Sequence, residues 1–198
     1  MNTREPSRPT QTAVESPAKL AHVVVRVADL AASRDWYLTV LGARVAFQNT
    51  MVCFLTYDDE HHRLGLIGMP NLSHPPPGMT GLEHVAFTYR SLEALFGTYR
   101  RLRDGGILPY WCINHGPTIS LYYKDPDGHN IELQYDVFRS AADLDAFFAG
   151  GAYQENFIGI IFDPEEMIAR LAAGESEESI TRRPPLPAGK TPWDMHRA

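Results

Sequence analysis

The feature that most restricts the fold of this chain is an internal repeat. His22 precedes an apolar run, Val23-Val24-Val25-Arg26-Val27, and then a segment carrying Leu30, Trp36, Tyr37, Val40 and Leu41 that Gly42 stops. Sixty-two residues later His84 precedes Val85-Ala86-Phe87, and Leu92 and Tyr99 take the places of Leu30 and Tyr37. Leu92, Leu95, Phe96, Tyr99 and Leu102 fall on one helix face, with Ser91 as its cap and Gly105-Gly106 as its stop. Three β-rich runs follow each helix: Arg44–Gln48, Val52–Tyr57 and Arg63–Met69, then Ile107–Ile113, Ile119–Tyr123 and Ile131–Val137. The turn Asp125-Pro126-Asp127-Gly128 separates the last two. The order is strand, helix, three strands, twice over. Each such unit makes a sheet with one apolar face, and two can enclose a shared cavity. The predicted fold class is α+β: paired βαβββ modules at residues 19–70 and 81–137 forming a half-open barrel, followed by a C-terminal helical extension.

The remaining sequence frames these modules. At 198 residues and 44% hydrophobic content the chain is long enough to bury one full core. A net charge of −6 without a Lys/Arg run argues against nucleic acid or an anionic membrane as partner. The longest apolar run, Phe157 to Phe162, is far short of the roughly 20 residues of a membrane span. Met1 to Pro17 has no apolar stretch of the kind a secretory leader needs, and Cys53 and Cys112 are too few for a disulfide framework. A cytoplasmic location is the expectation. Residues 1–18, rich in Thr, Ser, Pro, Glu and Arg, are predicted to be a disordered arm, and residues 183–198 an extended tail. Residues 138–182 form the extension: Ala142–Phe148, the run Phe157–Phe162, and a helix capped by Asp163, opened by Pro164, striped by Met167, Ile168 and Leu171 and ended by Gly174. It is expected to pack over the sheet or to make a dimer contact.

Titratable residues on the strands carry the chemistry. His22 and His84 open equivalent strands, and Glu132 lies between Ile131 and Leu133 on the final one. Side chains alternate across a strand, so Glu132 points away from its apolar neighbours. A carboxylate facing a barrel interior is costly unless it is paired or holds a metal. Two His from repeat-related strands plus that Glu would make a 2-His-1-carboxylate set with open coordination positions, the arrangement of non-haem Fe(II) oxygen chemistry. Each His alone also has a plain reading, as a hydrogen-bonded structural residue at a strand start.

The segments Leu20-Ala21-His22-Val23, Gly81-Leu82-Glu83-His84-Val85-Ala86-Phe87 and Tyr122-Tyr123-Lys124-Asp125-Pro126-Asp127-Gly128-His129-Asn130-Ile131-Glu132-Leu133 resemble the vicinal oxygen chelate superfamily. That superfamily includes glyoxalase I, fosfomycin-modifying thiol transferases, methylmalonyl-CoA epimerase and type I extradiol catechol dioxygenases. The resemblance covers about residues 19–137 and implies His22, His84 and Glu132 as metal ligands. Glyoxalase I and the epimerase carry a fourth ligand, Glu or Gln, on the strand that is here His62-Arg63-Leu64-Gly65-Leu66-Ile67-Gly68-Met69, which has neither. Val24 and Ala141 stand where the thiol transferases have Thr and Arg. Resemblance to the extradiol class assigns His62, His115 (in His115-Gly116) and Tyr122 as catalytic groups. His115 lies about two residues nearer the Tyr than is usual there, and the loop from His62 to His84 is longer.

The resemblance therefore implies a dioxygenase that opens a catechol ring with dioxygen, with Fe(II), or Mn(II) in its place, as cofactor. Its partners would be a small aromatic diol, dioxygen and other copies of the chain in a homo-oligomer. The alternative is another metal-dependent member: a thiol transferase, an isomerase or a lyase. The bleomycin-sequestering proteins of this fold lack the metal set, which argues against a pure binding module. Trp111, Phe54 and Tyr57 could line an aromatic pocket or be plain core. His61 and His62 adjoin Asp58-Asp59-Glu60, as residues of a solvated turn would. His74 precedes Pro75-Pro76-Pro77 in an expected exposed loop, His129 belongs to the turn, and His196 lies in the tail.

Overall fold

A computed structural model describes residues 15–73 and 80–197. The first fourteen residues of the expected arm, and His74, lie outside the described residues. The first module runs β1 (Val23–Val27), α1 (Leu30–Leu41), β2 (Arg44–Gln48), β3 (Val52–Thr56) and β4 (Leu64–Gly68). The second runs β5 (His84–Tyr89), α2 (Leu92–Asp104), β6 (Trp111–Asn114), β7 (Thr118–Lys124) and β8 (Asn130–Asp136). Each module folds its strands into the same order: β1-β4-β3-β2 in one sheet, β5-β8-β7-β6 in the other. In both, the first and last strands pair in parallel and the rest antiparallel.

Local chemistry sets the helix limits. The Asp29 carboxylate caps α1 by accepting from the backbone N–H of Ala31 and Ala32, and Gly42 leaves it at φ 61°. Ser91 caps α2 through the N–H of Ala94. Strand alternation divides the residues by face. Val25, Val27, Leu64 and Leu66 face α1, while Ile131, Leu133, Tyr123 and Leu121 belong to the same core as the buried face of α2. The opposite faces of the two sheets are the ones that carry the candidate site.

The modules are stapled by the turn before β8. The Asp125 carboxylate accepts from the backbone N–H of Asp127 and His129, from the His129 ring and from the buried Tyr37 hydroxyl of α1 at 2.9 Å. Asp127 accepts from the Ala28 N–H and the Ser33 hydroxyl. Among the described residues no strand of one sheet pairs with a strand of the other, so the expected paired modules form two sheets without a closed barrel.

Downstream come α3 (Ala141–Ala149), α4 (Ala152–Glu155), β9 (Ile160–Ile161), α5 (Pro164–Ala172), α6 (Glu177–Thr181) and a 3-10 helix at Pro192–Met195. The extension does more than cover the sheet: β9 adds a fifth strand to it by pairing with β6. The expected run Ile107–Ile113 becomes a strand only from Trp111, because the Ile107 N–H still closes onto the Leu102 carbonyl of α2. Nor is residues 183–198 an open tail. Its Met195 is buried against Trp111 and Ile113, because the 3-10 turn at Pro192 folds the chain back onto the sheet. No helix among the described residues is long and apolar enough to cross a membrane.

Candidate functional site

The second sheet gathers the denser polar cluster. Register places Glu132 of β8 beside Tyr122 of β7, and Tyr122 beside Trp111 of β6. Ser120 precedes Tyr122 by two and so shares its face. The face of this sheet turned away from α2 therefore carries a buried lateral row, Glu132–Tyr122–Trp111, which His84, the first residue of β5, completes. The His84 Nε2 lies 3.0 Å from a Glu132 carboxylate oxygen. Its Nδ1 meets the Glu83 carboxylate.

The electrostatics follow from this packing. Glu132 is only 3% exposed. Burial by itself would raise its carboxyl, but the hydrogen bonds from His84 and Ser120 outweigh it and hold the group below the ordinary carboxylate value. His84 is pushed up to about 9, chiefly by Glu132 and further by Glu83. His115 moves the other way, because burial disfavours its charged form. Its Nδ1 meets the Ile158 carbonyl, and its Nε2 lies 3.1 Å from the Tyr122 hydroxyl. A carbonyl can only accept, so Nδ1 carries the proton and the neutral Nε2 accepts from Tyr122. Burial and the Glu132 charge raise Tyr122 well above the ordinary phenol value, so it stays a donor.

The first sheet holds a separate cluster. The parallel pairing of β1 and β4 sets Val23 opposite Leu64, which brings His22, just before β1, close to His62, two residues before β4. Their ring centroids are 4.3 Å apart, and His62 stacks on Phe54 at 4.5 Å. Arg63 fixes the approach to β1 by donating to the carbonyls of Leu20 and Ala21. Burial, then the neighbouring His22 and His61, lower the pKa of His62.

Among the predicted residues, then, His84, Glu132, Tyr122, His115 and Trp111 share the second sheet, and His22, His62 and Phe54 share the first. The three predicted donors do not meet within one chain. Among the described residues no group of three His, Cys, Asp or Glu side chains stands close enough to hold a metal ion. The pair His84–Glu132 offers an imidazole and a carboxylate of the right kinds; a single chain does not fit the three-donor site.

The structure adds residues that sequence reasoning missed. Ser120 was findable from the two-residue alternation with Tyr122. Ile158 was not: its carbonyl is presented by a loop that the Asn156 side chain shapes, accepting from the N–H of Ile158 and Gly159 and donating to the Gly159 carbonyl. Arg183 donates to the His115 carbonyl, and Met195 and His196 lie against Trp111. His129, expected in the turn, is the Asp125 partner described above. Cavities of about 1100 and 840 Å3 flank these clusters. The first lies behind Gly116, between the extension and the second sheet, and the second reaches His84 from the edge of β1.

Comparison with known proteins agrees with this architecture. Residues 19–133 match the profile of the Glyoxalase/Bleomycin resistance protein/Dioxygenase superfamily. The chain is 43% identical over 164 residues to biphenyl-2,3-diol 1,2-dioxygenase 2 of Rhodococcus globerulus, covering 82% of this chain and 86% of that one. It is 42% identical to the dioxygenase 3 of the same organism, covering 83% and 88%. Among solved structures, a glyoxalase/dioxygenase from Nostoc punctiforme matches with a TM-score of 0.50 and 27% identity, covering 64% of this chain and 99% of that one.

Proposed function

The chain belongs to the glyoxalase/bleomycin resistance/dioxygenase superfamily, and from that premise we propose that it is an extradiol ring-cleaving dioxygenase acting on a catechol, of the biphenyl-2,3-diol or simple catechol type, with dioxygen. One observation carries the reading: a buried Glu132 met by His84 on one sheet face, next to a neutral His115 that accepts from Tyr122. The 43% identity to a biphenyl-2,3-diol dioxygenase selects this chemistry among those of the superfamily.

We propose Fe(II), or Mn(II) in its place, as cofactor, with His22, His84 and Glu132 as its donors. When bound it would supply Lewis acidity for the diol and redox chemistry for dioxygen. Because one chain keeps His22 on the other sheet, the donor set requires a homo-oligomer in which the first sheet of one copy faces the second sheet of another. The open face of the first sheet suits such a contact: Val24 is 45% exposed and Phe47 51%.

The chain's own groups account for binding and proton handling. The Tyr122 hydroxyl donates to His115 Nε2, which leaves its oxygen lone pairs able to accept from a substrate hydroxyl. A proton taken from the diol can pass through Tyr122 to the neutral His115, whose Nδ1–H stays on Ile158. His62, with a lowered pKa, is neutral near pH 7 and able to accept a proton as well as return one.

Oxygen uptake by protein purified without air and loaded with Fe(II), offered catechol and biphenyl-2,3-diol, tests the reading. We expect stoichiometric uptake with a yellow ring-opened product, loss with a chelator and in Glu132→Ala, and a fall in kcat of about 100-fold in Tyr122→Phe and His62→Phe. Failure to consume oxygen with any diol, with metal verified in the protein, would sink it.

A further inference from the structure

The cavity of about 1100 Å3 stands apart from the candidate site: His84, Glu132, Tyr122 and His115 do not line it. It lies between α3, α6 and the end of β8, with Gly116 and Arg183 in its wall. The rings of Phe138 and Phe147 face it with centroids 5.3 Å apart and planes 41° from parallel. Gly116 lets the Phe147 ring seat there: it holds φ 100°, and a Cβ on it would stand 2.4 Å from the ring. Val137, Pro184, Pro185 and Leu186 add aliphatic surface.

The polar groups of this wall are committed to the chain itself. Arg183 donates to the carbonyls of His115, Asn156 and Ala152 and rests over Phe147. The Asn156 amide serves Ile158 and Gly159, the Thr181 hydroxyl donates to the Glu177 carbonyl, and the Tyr135 hydroxyl donates to the Glu177 carboxylate. Arg139 and Arg182 pair with Glu177 and Glu178. Among the described residues, the buried side-chain polar atoms without a partner belong to Glu60 and Tyr123, and neither lines this cavity. A guest therefore meets ring faces and aliphatic surface, with no buried side-chain donor or acceptor waiting for it. It also meets no free cation, since every Arg of the lining is engaged, while Asp143 and Glu155 add negative charge. Hydroxyls buried there would go unpaired, and a carboxylate would be both unpaired and repelled. We propose that this cavity is a second binding site, separate from the candidate catalytic site, for a small neutral aromatic molecule that carries neither a diol nor a carboxylate. Phe138 and Phe147 hold it by offset and edge contacts. The inference rests on the cavity alone and is independent of the dioxygenase reading.

The test titrates toluene and benzoate calorimetrically into the full-length, Fe(II)-loaded protein without oxygen, each with and without saturating catechol. Toluene is expected to bind with a Kd below about 1 mM, and catechol to leave that affinity unchanged. With catechol present, benzoate should bind at least about tenfold more weakly than toluene. Ala146→Trp, at an exposed position of α3 that lines the cavity, fills it and should weaken toluene at least about tenfold. Glu155→Lys, also exposed, keeps the idea testable if that variant fails to fold: a cation at the rim should shrink the benzoate deficit by about threefold or more. No toluene binding by wild type, unchanged toluene binding in a folded Ala146→Trp, benzoate as tight as toluene, an unaltered ratio in Glu155→Lys, or displacement of toluene by catechol each overturns the second site. Toluene binding in a protein that consumes no oxygen with any diol would overturn the dioxygenase reading and leave the cavity assignment standing.

Discussion

Asp125 shows how much one buried side chain can organise. Its two oxygens accept from two backbone N–H groups, the His129 ring and the Tyr37 hydroxyl, so one carboxylate closes the turn before β8 and ties it to α1. Tyr37→Phe removes a hydrogen bond to a charged, buried acceptor and should cost about 1.5–3 kcal/mol in urea denaturation. Burial would raise Asp125, yet the bonds from His129 and Tyr37 hold it below its ordinary 3.8, while Asp125 raises His129 above 6.5. The Asp125 contribution is complete above its ordinary value and lost as the pH falls through the lowered one. The His129 contribution is complete below 6.5 and lost as the pH rises through the raised value. Thermal melts from pH 6.5 to 8.5 should therefore fall more steeply in wild type than in His129→Gln. Parallel slopes would show that the pair contributes nothing. The Asp-Pro-Asp-Gly-His sequence announces a turn. Its partner Tyr37, 88 positions away, is not announced by any local pattern.

At the scale of elements, the two modules were largely legible. Helix α2 and strands β1 and β2 occupy the ranges expected of them because caps, glycine stops and periodicity agree locally. The extension was legible only in part. Asp163 caps α5 through the Glu165 N–H and Pro164 opens it, as expected, since capping is local. By contrast, the short β9 lies within the apolar run Phe157–Phe162, but that run does not say which edge it joins; pairing with the edge of β6 decides that. Gly159, just before β9, has φ 125°, and a Cβ there would stand 2.4 Å from the Asn114 carbonyl oxygen. Gly159→Ala should cost about 1–3 kcal/mol of stability by urea denaturation. It should also loosen the loop that offers the Ile158 carbonyl to His115, lowering kcat. A variant as stable and as active as wild type would mean that β9 does not hold the loop.

At the scale of the molecule, the donors divide between two sheet faces. If copies of the chain complete one another, His22→Ala and Glu132→Ala chains should each be inactive alone. Mixed after dissociation and reassembly they should regain activity, since a site pairing an intact His22 with an intact Glu132 then forms in mixed assemblies. No recovery in verified mixed assemblies would place all three donors in one chain. Sedimentation should show more than one chain per particle wherever activity is present.

Local sequence was enough for the repeated βαβββ order, the helix limits and the candidate residues of the site, because periodicity, caps and strand alternation are properties of neighbouring residues. It singled out His84, Glu132, Tyr122 and His115 as candidates, and the structure places them on one sheet. Long-range packing, by contrast, decides that Asp125 staples the modules, that His22 does not meet His84 and Glu132 within one chain, and that Arg183 and Met195 lie against the second sheet. Those contacts depend on how whole elements pack, and packing joins residues that no local spacing relates.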